Sequence, residues 1–313
     1  MVKKLVQKQI VPIERSFKKE LFETLLSLNL PEYPNKTGNK QFTTFQKLAS
    51  VILYFRSKLP LREFCDFINH ESLWKRDLNL KFDLRRSTLN DWVKSFDLDF
   101  LKNVLDETNR GDCPKILGID GSGISSKFKS SYYQKRLKDF GINPKSPYHK
   151  LDIISDLENG KKIYDFTFTM KQYNDKKQAK RLFKRFRFKD IFIIGDKGYY
   201  FFYLFSLMKK KNNILIVPPI KSSGKEIHRN IIRKQFQNTF YKYKELYSKR
   251  SNVEGVFSSL KRTILAKITS KNYMTKKREV AIKIIIYNMK KNIFQTFLLL
   301  RFFNNFNKNI QFN

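Results

Sequence analysis

Residues 115–124, KILGIDGSGI, place an aspartate, Asp120, inside an apolar run that is rich in β-branched residues, and such a run predicts a strand. Two further strands are predicted at 148–157 and 162–169, joined by a Glu-Asn-Gly-Lys segment that is typical of a hairpin. The remaining predicted elements, in chain order, are a basic helix at 176–187, a strand at 191–194, a helix at 201–210 and a strand at 214–217. This order predicts an α/β unit with a mixed sheet flanked by helices.

The segment before this strand has the periodicity of helices. Residues 42–55 place apolar side chains on one face at three- and four-residue steps, residues 61–69 form a second helix, and Ser87–Thr88 are expected to cap a third. Short helices joined by tight turns resemble a DNA-binding helix-turn-helix. A plain helical bundle is the alternative, because residues 61–112 carry a net charge of −2 and the candidate recognition helix contains Asp91.

Two domains are therefore expected. Residues 1–112 would form a small all-α domain, and residues 113–313 would form the α/β domain together with basic C-terminal helices. Composition and periodicity alone define this boundary, since neither a linker nor an internal repeat is evident.

The charge of the chain predicts a polyanionic partner. The 313 residues include 64 Lys and Arg against 28 Asp and Glu, which gives a net charge of +36 at neutral pH, while 41% of the residues are hydrophobic. The apolar content excludes a disordered basic tail. Residues 113–313 hold +31 of the excess, and Gly255–Asn313 carry twelve basic side chains and one acid. A nucleic-acid surface is the first interpretation. The alternative, a lysine-rich or heat-adapted surface, fits less well because Glu is scarce.

Several other classes of protein are disfavoured by the sequence. Cys65 and Cys113 cannot form a disulfide framework, and the three histidines, His70, His149 and His228, have no metal-ligand spacing. A signal peptide is not evident, and the longest uncharged run of the apolar C-terminal stretch, residues 292–300, is too short to cross a bilayer. We therefore expect a soluble protein of the cytoplasm without membrane association.

Three acidic residues are candidates for chemistry. Asp120 lies within an apolar strand, Asp196 directly follows the apolar run IFIIG, and Glu254 lies in a predicted helix with an apolar face. Each acid alone could be a strand-end or helix-surface residue with a lysine partner. Together, two carboxylates at strand ends and a third from a helix could share two Mg²⁺ ions about 3.5–4 Å apart.

The spacing of residues around Glu254 predicts a phosphate-binding helix face. Arg250, Glu254 and Lys261 follow Tyr247 by three, seven and fourteen residues, so all four side chains would lie on one side of a helix. A cation and a phenol beside a metal-binding glutamate can hold phosphates on either side of a scissile bond.

With these motifs the chain resembles a DDE transposase of the prokaryotic insertion-sequence kind, which has a ribonuclease-H-like catalytic core. Asp120 in GIDGSG matches the family's first aspartate and Asp196 in GDKGYY matches the second. The Tyr-Arg-Glu-Lys helix signature is matched by Tyr247, Arg250, Glu254 and Lys261. The resemblance covers roughly residues 113–290. The 58 positions from Asp196 to Glu254 leave no room for the large β-rich insertion of some relatives.

The resemblance implies an enzyme that binds the terminal inverted repeats of its element, cleaves phosphodiester bonds there and joins the 3′-hydroxyls to target DNA. It implies Asp120, Asp196 and Glu254 as ligands of two Mg²⁺ ions, for which Mn²⁺ can substitute. Tyr247, Arg250 and Lys261 would bind DNA phosphates, with Lys197 and Tyr199 as further phosphate neighbours; core packing is the alternative for Tyr199. Partners would be double-stranded DNA and, when ends are paired, a second copy of the chain.

Two alternatives belong to other functional classes. One is a catalytically decayed or purely architectural DNA-binding protein, and the other is a structure-selective nuclease on the same fold. The complete set of acids and the spaced helix signature favour the transposase.

Overall fold

The computed structural model describes residues 16–33, 40–71, 73–125, 139–141, 148–169, 175–220 and 231–310. The chain forms two compact units. One contains the residues up to Arg110 together with those from Met274 onward, and the other contains Gly111–Tyr273. His228, which has no predicted role, lies outside the described residues.

The first unit is helical, as predicted for the N-terminal part of the chain. Its helices are residues 16–26, Thr44–Ser57, Leu61–Asp66, Trp74–Asp77, Arg86–Ser95, Leu98–Thr108 and the long C-terminal helix Tyr273–Ile310, which starts at the boundary; Leu61–Asp66 continues as a π-helical turn, Phe67–Glu71. Thr43 caps the second of these through a reciprocal capping box with Gln46. The expected cap at Ser87–Thr88 is wrong, because the helix starts at Arg86 and includes both residues.

The C-terminal helix groups with the N-terminal helices, whereas the sequence placed it with the α/β domain. The Asn288 side chain donates to Thr108 Oγ1 and Asn109 Oδ1, both at 3.1 Å, and Arg278 Nε donates to the Phe96 carbonyl at 2.5 Å.

None of the helices in the described part of the chain has the length and apolar character that a membrane crossing demands. The unit Gly111–Tyr273 is left with 36 basic and 13 acidic side chains, a net charge of +23.

Five strands form one sheet in the described part of the second unit. They are β1 (Ile116–Ser125), β2 (Tyr148–Asp156), β3 (Ile163–Thr169), β4 (Phe192–Gly195) and β5 (Ile214–Ile216). Their order across the sheet is β3-β2-β1-β4-β5; the first three pair antiparallel, and β1, β4 and β5 run parallel. The predicted mixed sheet flanked by helices, with a helical N-terminal region, is confirmed.

The turn between β2 and β3 follows the predicted Asn-Gly signal. Gly160 and Lys161 have φ values of 81° and 56°, and the Asp156 N–H donates to the Lys162 carbonyl at 2.9 Å. A left-handed conformation is accessible to glycine without a steric penalty, which is why the hairpin signal contains it.

Apolar side chains of the central strands and the flanking helices form the core of this unit. Leu117 and Ile119 of β1, Ile193 of β4 and Leu215 of β5 are almost completely buried. The flanking helices are Asp175–Leu182, Phe202–Lys210, Ile231–Lys242, the short Lys244–Tyr247 and Ser251–Arg262, which we call the site helix. The Gly-Ser-Gly segment 121–123 lies within β1 and pairs with β2, in agreement with the predicted strand at 115–124.

Candidate active site

Asp120 and Asp196 occupy neighbouring positions where the two central parallel strands, β1 and β4, lie side by side. Asp120 follows Ile119, Asp196 follows Gly195, and Ile119 and Gly195 are register partners. Because paired positions of parallel strands present their side chains on the same face, the topology brings these two carboxylates together.

Each aspartate is oriented by the backbone N–H of a nearby glycine. Gly121 donates to Asp120 Oδ1 and Gly198 donates to Asp196 Oδ1, both at 2.8 Å. Asp196 thereby caps the short 3₁₀ helix Lys197–Tyr199. One oxygen of each carboxylate is engaged in this way.

Glu254 reaches the site from the first turn of the site helix, which packs on β1. Val253 is completely buried, and a Cβ atom added to Gly118 would lie less than 3.0 Å from its Cγ2. Gly118 therefore allows the helix to approach the strand. The Glu254 side chain is 60% exposed, in contrast to 18% for Asp120.

The Tyr-Arg-Glu-Lys signature spans three consecutive helical segments, so the single continuous α-helix expected for it is wrong. Tyr247 ends the short helix Lys244–Tyr247, Arg250 ends a 3₁₀ turn, and Glu254 and Lys261 lie in the site helix. The tighter 3₁₀ turn changes the angular spacing between Tyr247 and Glu254 from that of a regular α-helix.

Arg250 connects the first and third acids. Its Nη2 donates to Glu254 Oε1 at 2.8 Å, and its Nη1 lies 3.7 Å from Asp120 Oδ2. Burial raises the pKa of Asp120; the Gly121 N–H and the Arg250 guanidinium lower it, while the charges of Asp196 and Glu254 raise it further. Burial is the largest of these effects, and the pKa of Asp120 is raised overall.

Tyr247 and Lys261 also approach the strand that carries Asp120. Lys261 Nζ donates to Ser122 Oγ at 2.7 Å, and the alternating side chains of a strand place Ser122 on the same face as Asp120. Burial raises the pKa of the Tyr247 phenol, Arg250 lowers it, and the negative charges of Asp196 and Asp120 raise it. Arg250, Glu254 and Tyr247 thus interact electrostatically with Asp120, and Lys261 lies beside the strand that carries it.

Tyr199 and Lys197 have different environments. The Tyr199 side chain is only 1% exposed, belongs to the core of the unit and donates its hydroxyl to Asp152 Oδ1 at 3.5 Å. A phosphate cannot reach it, so the predicted phosphate contact is corrected in favour of core packing. Lys197 is exposed, and its phosphate role stays a prediction.

The chemistry of the donor set fits a divalent metal ion. Asp120, Asp196 and Glu254 supply carboxylate oxygens, which Mg²⁺ and Mn²⁺ prefer, and the charges of Asp196 and Glu254 act on Asp120. Within the described residues, no three His, Cys, Asp or Glu side chains are close enough to one another to hold one ion. Arg250 bonds to Glu254, and this contact would have to open before Glu254 could share an ion with the aspartates.

Three charged residues that pack against Gly121 and Gly198 were not predicted from the sequence. Lys150 forms ion pairs with Asp152 and Asp175, and Asp152 is the register partner of Gly121. The available signal was the pair of opposite charges at alternate positions, 150 and 152, of a predicted strand, which places both on one face.

The strand order, the two adjacent aspartates and the glutamate on a following helix define a polynucleotide-processing site of the DDE class. The Transposase DDE domain family matches residues 111–289, more than half of the chain, and the chain belongs to this family. DDE transposases are nuclease-type enzymes that generally use divalent metal ions. The prediction of a DDE transposase is thereby confirmed.

Two further comparisons were made. Among curated proteins, none matches the chain. Among solved structures, the chain is similar to a piggyBac transposase in a synaptic complex with hairpin DNA, at 11% sequence identity and a TM-score of 0.42, over 87% of this chain and 71% of that chain.

Proposed function

We propose that this transposase cleaves phosphodiester bonds at the terminal inverted repeats of an insertion sequence and joins the resulting 3′-hydroxyls to target DNA. The observation that carries the proposal is the pair of aspartates, Asp120 and Asp196, at neighbouring positions of the two central parallel strands, with Glu254 joined to Asp120 through Arg250 on the helix packed against β1. Like charges brought together at this density are unfavourable unless cations neutralise them, and the substrate itself is a polyanion.

Asp120, Asp196 and Glu254 are the residues that would hold two Mg²⁺ ions, or Mn²⁺ in their place. Bound there, the ions would activate the attacking hydroxyl or water and stabilise charge on the phosphate oxygens. The Gly121 and Gly198 N–H groups hold one oxygen of each aspartate, and the second oxygen would be the metal ligand, which for Asp120 is the Oδ2 atom that now faces Arg250.

Arg250, Tyr247 and Lys261 are proposed to bind the DNA phosphates that flank the scissile bond. Arg250 now forms ion pairs with Asp120 and Glu254. When metal ions neutralise these carboxylates, the guanidinium group would instead bind a DNA phosphate. Lys261, held beside β1 by Ser122, supplies a second cation on the same face. Lys197 is proposed as a further phosphate contact.

The net charge of +23 on Gly111–Tyr273 supports non-specific binding of double-stranded DNA by the unit that contains the acids. We further propose that the chain acts as a homodimer when two element ends are paired, that the N-terminal helices contribute to reading the ends, and that the protein works in the cytoplasm on nucleoid DNA.

The test is a nicking assay on a supercoiled plasmid that carries the reading frame together with the DNA on either side of it. We expect Mg²⁺- or Mn²⁺-dependent nicks at the inverted repeats, and loss of nicking in each of Asp120→Asn, Asp196→Asn and Glu254→Gln. Cleavage that survives any of these changes would refute the assignment of the three carboxylates. Salt-sensitive DNA binding without any cleavage would instead identify an architectural or decayed protein.

A further inference from the structure

A group of three charged side chains, Lys150, Asp152 and Asp175, packs against the glycines whose N–H groups donate to the two aspartates, and we call it the backing cluster. Lys150 Nζ forms an ion pair with Asp175 and lies 3.4 Å from Asp152 Oδ1. The Asp152 side chain is 0% exposed, that of Lys150 is 14% exposed, and Asp152 Oδ2 has no hydrogen-bond partner among the described residues. Burying such charges costs free energy even when they are paired, so stability alone is a weak reason to keep them.

The first carboxylate of the cluster supports Asp120. Asp152 on β2 is the register partner of Gly121 on β1, and a Cβ atom on Gly121 would lie less than 3.0 Å from Asp152 Oδ1. The Asp152 carboxylate therefore packs directly against the glycine whose N–H donates to Asp120.

The second carboxylate supports Asp196 in the same way. A Cβ atom on Gly198 would lie less than 3.0 Å from Asp175 Oδ2, and the Gly198 N–H donates to Asp196 Oδ1. The Tyr199 hydroxyl, one residue further on, donates to Asp152. Each aspartate thus accepts a hydrogen bond from a glycine that packs against a cluster carboxylate, and Lys150 joins the two carboxylates.

We propose that Lys150 is a positioning residue, which fixes the spacing of Asp120 and Asp196 by holding Asp152 and Asp175 against Gly121 and Gly198. This inference rests on the proposed function, in which the two aspartates bind metal ions together. Its physical basis is that side chains which orient metal ligands typically change metal affinity by about 10–100-fold when they are removed. Lys150 itself touches neither substrate nor metal in this role.

The experiment is a Mn²⁺ titration of the full-length protein followed by electron paramagnetic resonance, with thermal unfolding measured in parallel. The variants are Lys150→Met and Asp196→Asn. Lys162→Met is the matched control, because Lys162 is also buried and ion-paired, with its Nζ 2.6 Å from Asp112 Oδ2. We expect Lys150→Met to weaken Mn²⁺ binding about tenfold or more. Lys162→Met should reduce stability alone and leave the Mn²⁺ affinity of the folded protein unchanged.

The outcomes separate this inference from the proposed function. If Asp196→Asn weakens Mn²⁺ binding and Lys150→Met does not, the positioning role is overturned while the metal site stands. If wild-type Mn²⁺ binding does not depend on Asp196, the proposed function fails at its metal site.

A milder variant covers the case in which Lys150→Met does not fold. Asp175→Asn keeps the shape of the side chain beside Gly198 but removes its ion pair with Lys150, and it should weaken Mn²⁺ binding several-fold. An unchanged affinity in this folded variant overturns the inference, and recovery of wild-type binding by Lys150→Arg supports it.

Discussion

Gly118→Ala should displace the active-site residue Glu254, although Gly118 itself has no side chain and takes no part in the proposed chemistry. The new methyl group would lie 2.7 Å from Leu157 Cδ2 and less than 3.0 Å from Val253 Cγ2. Carbon atoms in van der Waals contact are about 3.5–4.0 Å apart, so the site helix must move away from β1 by about 1 Å. Val253 adjoins Glu254 in the sequence, and this movement therefore displaces the third carboxylate.

The expected magnitudes differ between stability and activity. Overpacking of a core costs about 1–3 kcal/mol. Replacing a glycine also restricts the unfolded chain, which returns about 0.4–1 kcal/mol. The net loss in the free energy of unfolding should be about 1–2 kcal/mol, which leaves the protein folded. A displacement of about 1 Å in a catalytic group can lower the rate about 100-fold, so the loss of nicking should far exceed the loss of stability.

Two further variants make the argument refutable. Gly255→Ala changes the residue on the other side of Glu254, where the nearest neighbour of the added methyl group is Lys161 Nζ at 3.8 Å. It should raise helix stability by about 0.5–1 kcal/mol and preserve nicking. Val253→Ala should restore part of the activity of Gly118→Ala by making room for the methyl group. Metal-dependent plasmid nicking measures the activity of each variant, and chemical denaturation measures its free energy of unfolding. Normal nicking by Gly118→Ala, or an absence of rescue by Val253→Ala, would refute the steric reasoning.

Three other predictions follow from the electrostatics of the site. Arg250→Gln should strengthen Mn²⁺ binding to the DNA-free protein, because a competing cation is removed. It should also weaken DNA binding about tenfold or more, since a hydrogen bond to a charged group contributes about 1.5–3 kcal/mol. An unchanged Mn²⁺ affinity, measured by electron paramagnetic resonance, would contradict this prediction. Lys261→Ala should reduce the slope of log affinity against log salt concentration by about one, measured by fluorescence anisotropy on duplex DNA. Asp120→Asn should raise the melting temperature at pH 8 while abolishing nicking. The pKa of Asp120 is raised in the folded protein. The stabilisation that comes from its protonated carboxyl is therefore fully present below the ordinary pKa of an aspartate, and it is lost as the pH rises through the raised pKa. The advantage of Asp120→Asn should therefore shrink as the pH falls, and a constant advantage would contradict the linkage.

Local pattern was sufficient to predict the sheet. The five predicted strands agree with the observed ones to within a residue or two, because buried parallel strands appear in sequence as short apolar runs, and the hairpin turn carries its own Asn-Gly signal. The helix at 176–187 was predicted too long, since the observed helix ends at Leu182. Two aspartates that end or interrupt such strands were recognisable for the same reason, because a lone carboxylate in an apolar run is costly.

Properties that depend on tertiary contacts could not be predicted in this way. The grouping of the C-terminal helix with the N-terminal helices depends on contacts such as Asn288 with Thr108, about 180 residues apart. Similarly, the 3₁₀ turn that interrupts the Tyr-Arg-Glu-Lys signature leaves its sequence spacing unchanged. The role of Lys150 requires the register of β2 against β1 and the position of a third element, the helix that begins at Asp175.

The glycines of the site show most clearly what a sequence motif conceals. Gly118, Gly121 and Gly198 do not lie in the left-handed region, in contrast to Gly160 at φ 81°, so their backbone conformations are open to any residue. Each glycine is required because an added Cβ atom would collide with a side chain. That side chain is Val253 for Gly118, Asp152 for Gly121 and Asp175 for Gly198. An alanine at these positions should therefore be rescued by shortening the opposing side chain, whereas shortening a neighbour cannot relieve backbone strain at Gly160. The Gly-x-Asp-Gly and Asp-x-Gly-Tyr patterns thus provide the space in which the site helix packs on β1 and the backing cluster packs against Gly121 and Gly198.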